Sequence, residues 1–181
     1  MIVACWSGPR NISTALMRSW SSRSDTFVTD EPFYAYYLSE TKLKHPMHME
    51  IINKYSTDYI KIVNYLNSKT PDGKKIWYQK HMAHHILNLN DIEWITNFET
   101  CILLRHPKEV ISSDSNKNKL NSFEELGYRQ QYEIIKLLKK KNKSFIIIDS
   151  SELLQNPAKV LGAWCKKINI KYEQSMLSWK K

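Results

Sequence analysis

Five short apolar runs, set between longer segments of helical spacing, constrain this chain more than any other feature. The runs are Ile2–Trp6, Thr26–Thr29, Ile76–Gln79, Thr100–Leu104 and Ser144–Ile148. All have strand length and several are β-branched. Between them, Ser13–Ser24, Pro32–Thr41, Thr57–Ser68, Pro107–Asn116, Ser122–Lys141 and Asn156–Ile168 carry apolar residues at helical intervals. This alternation predicts an α/β fold of three layers, with a mostly parallel central sheet and helices on both faces. Right-handed crossovers bring the loops that follow the strands to one edge, where ligands bind in such folds. Pro71-Asp72-Gly73 reads as a turn. The chain has neither repeats nor a low-complexity linker, so residues 1–181 are expected to form one domain.

Charge narrows the function classes. The chain has 27 Lys plus Arg against 18 Asp plus Glu, a formal charge of +9. Only five of the basic residues are Arg; the rest are Lys in a chain also rich in Asn and Ile. That balance favours a site for a small polyanion on a Lys-rich surface over a nucleic-acid-binding face. The densest basic run, Lys136–Lys143, ends a helical pattern and suits the negative end of a helix dipole. No apolar run is long enough to cross a membrane. Met1–Trp6 is too short for a signal-peptide core, so a cytoplasmic location without membrane association is expected. Cys5, Cys101 and Cys165 are few, far apart and in apolar stretches, which points to buried thiols.

The segment Trp6–Ser19 (WSGPRNISTALMRS) carries the most chemistry. It joins the first strand to the first helix. Gly8 and Pro9 make the turn, Arg10 is the only charge in the loop, and Ser13 and Thr14 stand where the helix begins. A loop of N–H groups, a positive helix end and a nearby cation bind phosphate. An N-cap box on an ordinary helix fits the same residues. The loop is not a Walker A sequence, because Ile12 and Ser13 occupy its Gly-Lys positions, and this disfavours magnesium-dependent NTP hydrolysis.

The stretch Pro9-Arg10-Asn11-Ile12-Ser13-Thr14-Ala15-Leu16 resembles the P-[KR]-x-x-[ST]-T-x-L loop of sulfotransferases that use 3′-phosphoadenosine 5′-phosphosulfate. Four further segments agree in order. Asp30-Glu31-Pro32-Phe33-Tyr34 is similar to E-P-x-[FY], and Gln79-Lys80-His81-Met82 to K-x-H. Leu104-Arg105-His106-Pro107 with Ser112-Ser113 is similar to R-[DN]-P followed by Ser. Ile148–Pro157 is similar to the Y-E-D-L-x-x-x-P segment.

The resemblance implies a P-loop NTPase-like fold and in-line transfer of a sulfuryl group to a hydroxyl or amine, without a metal. It assigns the 5′-phosphosulfate to the loop Gly8, Pro9, Arg10, Asn11, Ile12, Ser13 and Thr14. Arg105 and Ser113 would grip the 3′-phosphate, with Ser112 as the neighbour in register. Glu31 is the first candidate for general base and His81 the second; Arg10 and Lys80 would be the cations that steady the leaving group. Each has a plainer reading: Glu31 can serve a helix N-terminus, the hydroxyls can cap, and the arginines can be structural. The acceptor is expected to be a small molecule or a glycan. Phe33, Tyr34, Tyr36 and Tyr37 follow Glu31 and either line its pocket or pack in the core. His81, His84 and His85 lack a zincin glutamate, so a metal site is not expected.

Three departures stand out. Ile12 replaces a common loop Gly, Ala15 replaces the Trp that stacks on adenine, and no R-K-G segment occurs in these 181 residues. A small-molecule kinase and a degenerate, non-catalytic nucleotide-binding member are the alternatives. Oligomeric state is not legible.

Overall fold

Alternate residues of the first strand face opposite layers, and this fixes the architecture. The computed structural model describes residues 1–114 and 123–178. Strand β1 (Ile2–Ser7) sends Val3 and Cys5 into one cluster and Ala4 and Trp6 into another, all fully buried. A strand apolar on both faces belongs inside a covered sheet. β1 pairs with β3 (Ile76–Met82) on one side and β4 (Glu99–Leu104) on the other. β2 (Thr26–Asp30) and β5 (Phe145–Asp149) form the edges, giving the order β2-β3-β1-β4-β5 with every pairing parallel.

The helices are α1 (Ser13–Ser21), α2 (Tyr34–Thr41), α3 (His48–Lys54), α4 (Tyr59–Leu66), α5 (Pro107–Asp114), α6 (Tyr128–Lys140), α7 (Ser150–Gln155) and α8 (Pro157–Lys167). Leu16 and Trp20 of α1 join Leu153 of α7 and Trp164 of α8 on the Val3–Cys5 face. Ile62 and Leu66 of α4 join Ile134 and Leu138 of α6 on the Ala4–Trp6 face. The expected three-layer, P-loop-like α/β fold is therefore present. Among the described residues no helix is long and apolar enough to cross a membrane, and Cys5, Cys101 and Cys165 are free and buried.

The differences from the expected elements have local causes. β3 continues past Gln79 through Lys80 and His81, because their polar atoms find partners at the strand end. The segment expected as a helix from Ser122 becomes helical only at Tyr128; Ser122 itself, like Asn116, lies outside the described residues. Gly127 takes φ 75 after a short 3₁₀ turn at Glu124–Leu126, which separates the two pieces. Helix α3 buries none of its residues, so it leaves no hydrophobic period in the sequence. Helix α7 is set by Asp149, whose Oδ1 accepts from the N–H groups of Ser151 and Glu152.

Candidate functional site

The loop after β1 is held by backbone conformations that side chains rarely adopt. Arg10 (φ 55) and Ile12 (φ 43) are both left-handed, as is Glu31 (φ 44) after β2. Such residues cost of order 1 kcal/mol or more each and persist where the surroundings impose them. For Asn11 the constraint is visible: its Nδ2 donates 2.7 Å to the Leu103 carbonyl, and the residue is buried. Gly8 is needed for space, since a β-carbon there would strike the Leu126 carbonyl oxygen. Gly8→Ala is expected to cost about 1–3 kcal/mol through this overpacking, read as a fall in Tm of roughly 3–10 °C. An unchanged Tm would mean that the Leu126 turn yields freely.

The turn ends on an open helix N-terminus. Ile12 occupies the N-cap position of α1 and makes no side-chain cap, and the first turn holds no acidic residue. Ser13 is buried there and Thr14 is exposed. The N–H groups of this turn carry the positive end of the helix dipole.

Two arginines meet beside this loop. Arg105, just past β4, donates from Nη1 to the Arg10 carbonyl at 2.6 Å and from Nε to Glu109 at 3.2 Å. Arg10 in turn donates from Nε to Ser113 Oγ at 3.3 Å and from Nη2 to the Ser113 carbonyl at 3.1 Å. The residues expected at two anion sites thus form one linked group. Ser113 touches Arg10, and Arg105 reaches the loop backbone. Arg105, Ser113 and Lys108 border an open depression on α5.

A second charged group lies after β2. Lys80 is almost fully buried and its Nζ lies 2.7 Å from Asp30 Oδ1 and in direct contact with Glu31 Oε1. Burial pulls the Lys80 ammonium down, but the two carboxylates outweigh it and hold it above its ordinary value. Glu31 is fixed through its backbone, accepting from Tyr34 N–H and donating to the Lys80 carbonyl, both at 2.9 Å. Its side chain stays 29% exposed, so it is open to a ligand.

His81 has a different setting. It is 1% exposed and stacked on Trp6 at 4.1 Å, with Nε2 against Gln79 Oε1 at 3.2 Å. Burial, with Lys80 adding to it, lowers its pKa to about 3. His84 falls to about 4 for the same first reason, with His45 contributing. His85, buried and stacked on Tyr34 and Tyr37, is also held well below its ordinary value by burial. Among the described residues no group of three His, Cys, Asp or Glu side chains is placed to hold a metal.

A cavity of about 710 Å³ opens beside Glu31. Of the four aromatic residues after Glu31, only Tyr34 lines it; Phe33 and Tyr37 are buried and Tyr36 packs on Tyr59. Tyr55 and Tyr65 also line it, and sequence reasoning missed both. They come from α4 and from the end of α3, and no spacing links them. A smaller apolar groove of about 200 Å³ runs past Ile12, Ala15 and Leu154.

This arrangement offers anion-binding N–H groups and cations at one strand edge, with a carboxylate facing an adjoining cavity. The chain belongs to the sulfotransferase-domain family, which it matches over residues 1–181. Its fold is similar to the sulfotransferase domain of the Synechococcus PCC 7002 olefin synthase (TM-score 0.64, 16% identity, 97% of this chain and 75% of that one). It is also similar to a sulfotransferase from Alicyclobacillus acidocaldarius (TM-score 0.66, 10% identity, 98% and 85%). Two Arabidopsis thaliana proteins, branched-chain-amino-acid aminotransferase-like proteins 2 and 1, are 33% and 32% identical to it. The matches cover 98% and 99% of this chain but 32% of each plant protein, so the chain spans about a third of their length.

Proposed function

We propose that this domain transfers a sulfuryl group from 3′-phosphoadenosine 5′-phosphosulfate to an acceptor hydroxyl, without a metal. The observation that carries this reading is the pair Arg10 and Arg105 beside an uncapped helix N-terminus with no acid in its first turn. Fixed N–H dipoles and guanidinium groups are the equipment for a dianionic group. The α1 N–H groups, Ser13, Thr14 and Arg10 would hold the phosphosulfate end. Arg105 and Ser113 would hold the 3′-phosphate. The groove at Ala15 supplies the apolar wall that a purine needs, where the related loop has a Trp.

Bound there, the nucleotide supplies the sulfuryl group and a phosphate leaving group. The chain's own part is electrostatic and acid–base. Arg10 and the helix end stabilise charge on the departing phosphate. Glu31 takes the proton of the acceptor hydroxyl. We favour Glu31 over His81 as base because it is open to the cavity, whereas His81 is enclosed by aromatic rings. Lys80 holds the Glu31 carboxylate in place and shares its charge with Asp30.

Calorimetric titration with adenosine 3′,5′-bisphosphate, in the absence of magnesium, tests the reading. Micromolar binding is expected. Arg105→Ala should weaken it by about 10- to 100-fold, the worth of a charge-assisted contact of about 1.5–3 kcal/mol. Absence of binding, or binding of ATP only with magnesium, would replace this reading with that of a kinase or a non-catalytic scaffold.

A further inference from the structure

The sheet ends at β5 on an edge that is open to another strand. β4 pairs with one side of β5, and among the described residues no strand pairs with the other. Along such an edge one residue in two turns its backbone N–H and C=O outward, without a partner in the sheet. Edges are commonly blunted by charges within the strand, by proline or by a bulge. β5 reads Phe145-Ile146-Ile147-Ile148-Asp149, in unbroken register with β4, so it carries none of these before its last residue. Ile147 in its middle is 51% exposed.

A groove of about 220 Å³ runs along this edge, and Ile146, Ile147 and Ile148 all line it. Consecutive strand residues point to opposite faces of a sheet. A groove that touches all three therefore follows the edge itself, where the outward backbone groups lie. Helix α8 forms the other bank. Lys159, Ala163 and Lys167, four apart and exposed, stand along one face of it, and Val160 adds apolar surface.

Charge selects what can lie there. Lys159 and Lys167 line the groove, and Lys143 and Lys166 are their neighbours before β5 and on α8. All four are exposed, and none is in an ion pair among the described residues. Against them stand Glu152, which also lines the groove, and Asp149, whose Oδ1 is taken up in capping α7. The banks are net positive, while the strand between them is apolar.

We infer that this edge is a docking strand for an extended, acidic segment of a partner protein, which adds to the five-stranded sheet beside β5. Main-chain hydrogen bonds to the outward N–H and C=O groups supply the pairing. Small apolar side chains enter the groove at Val160 and Ala163, and acidic ones meet Lys159 and Lys167. The cavity at Glu31 adjoins β2, the opposite edge of the sheet, so this inference stands apart from the sulfuryl-transfer reading.

The probe is a fluorescein-labelled, end-blocked peptide, Glu-Val-Glu-Val-Glu-Val-Glu, titrated into the full chain and followed by fluorescence anisotropy. One control has lysine in place of glutamate. A second has alternate backbone nitrogens methylated, which keeps every charge and side chain but prevents a β ladder. The glutamate peptide is expected to bind at least about tenfold more tightly than either control. Its binding should slow amide hydrogen exchange in Phe145–Asp149 at least about fivefold. Lys159→Glu combined with Lys167→Glu, both at exposed helix positions, should weaken it at least about fivefold and leave Tm within about 2 °C. Equal binding of the methylated peptide would mean ionic contact without strand addition and would overturn the inference. So would binding that ignores the double substitution, preference for the lysine peptide, or no binding of any peptide at about 1 mM. A dimer in sedimentation that Ile147→Lys returns to monomer, with no peptide bound, would give the edge to a second copy of this chain and overturn it as well.

Discussion

Glu31→Gln is expected to lower kcat for sulfuryl transfer by about 10²- to 10⁴-fold, the span that a positioned general base contributes. Affinity for adenosine 3′,5′-bisphosphate should stay within about twofold, because Glu31 lines the cavity beside β2, whose walls include no residue of the α1 loop. The amide keeps an oxygen for Lys80 but removes a charge, so the buried ammonium would rest on Asp30. A modest fall in Tm is expected for that reason, and a melt must accompany the kinetics. His81→Gln is the contrasting variant. It removes the stack on Trp6, so its effect should fall on stability rather than on the transfer step. Full activity in Glu31→Gln together with loss in a folded His81→Gln would move the base to His81.

Acid should destabilise this protein well above the range in which carboxylates titrate. His81 and His84 have pKa values lowered to about 3 and about 4, and His85 lies well below its ordinary value, all first because of burial. In the unfolded chain each returns to about 6.5. Between those limits the unfolded state binds more protons than the folded one, so stability rises with pH. The contribution is fully present above about pH 6.5 and is lost as the pH falls below it. His81 and His84 each account for about 1.4 kcal/mol per pH unit in that window. These two predict a loss of about 2.5 kcal/mol between pH 7 and 5.5, a sizeable share of an ordinary domain's 5–15 kcal/mol, and His85 acts in the same direction. Urea unfolding at a series of pH values reads this directly. His84→Gln should reduce the slope by about a third. A flat profile from pH 7 to 5 would mean that protons reach these imidazoles in the folded state.

The legible and illegible parts of this molecule divide by range. Each of the five strands could be read because a covered parallel strand is a short apolar run, and β1 from Ile2 to Trp6 is such a run. The turn from Gly8 into α1 could be read because its glycine, proline and helix-starting hydroxyls are consecutive. Arg105 could be placed just past β4 because it is the charge that follows an apolar run. Helix α3 could not, because it buries nothing and so has no period. Nor could the break at Gly127, where one glycine in a left-handed conformation divides what the pattern joins.

The site itself was decided in three dimensions. Arg10 and Ser113 are 103 positions apart, and their contact depends on β1 and β4 being neighbours in the sheet. Lys80 and His81 are adjacent in sequence, yet strand alternation sends one to a pair of carboxylates and the other into an aromatic stack. The cavity walls at Tyr55 and Tyr65 come from two different segments that only packing brings together. By itself the sequence determined the strands, the turn that leads from β1 into α1 and the order of the charged residues, because these follow from local periodicity and neighbouring chemistry. The tertiary structure alone decided which of those charges meet, which histidine is shut away and what lines the cavity beside Glu31. Those outcomes depend on strand order and on which face of the sheet each side chain enters, and neither is encoded in any short stretch of chain.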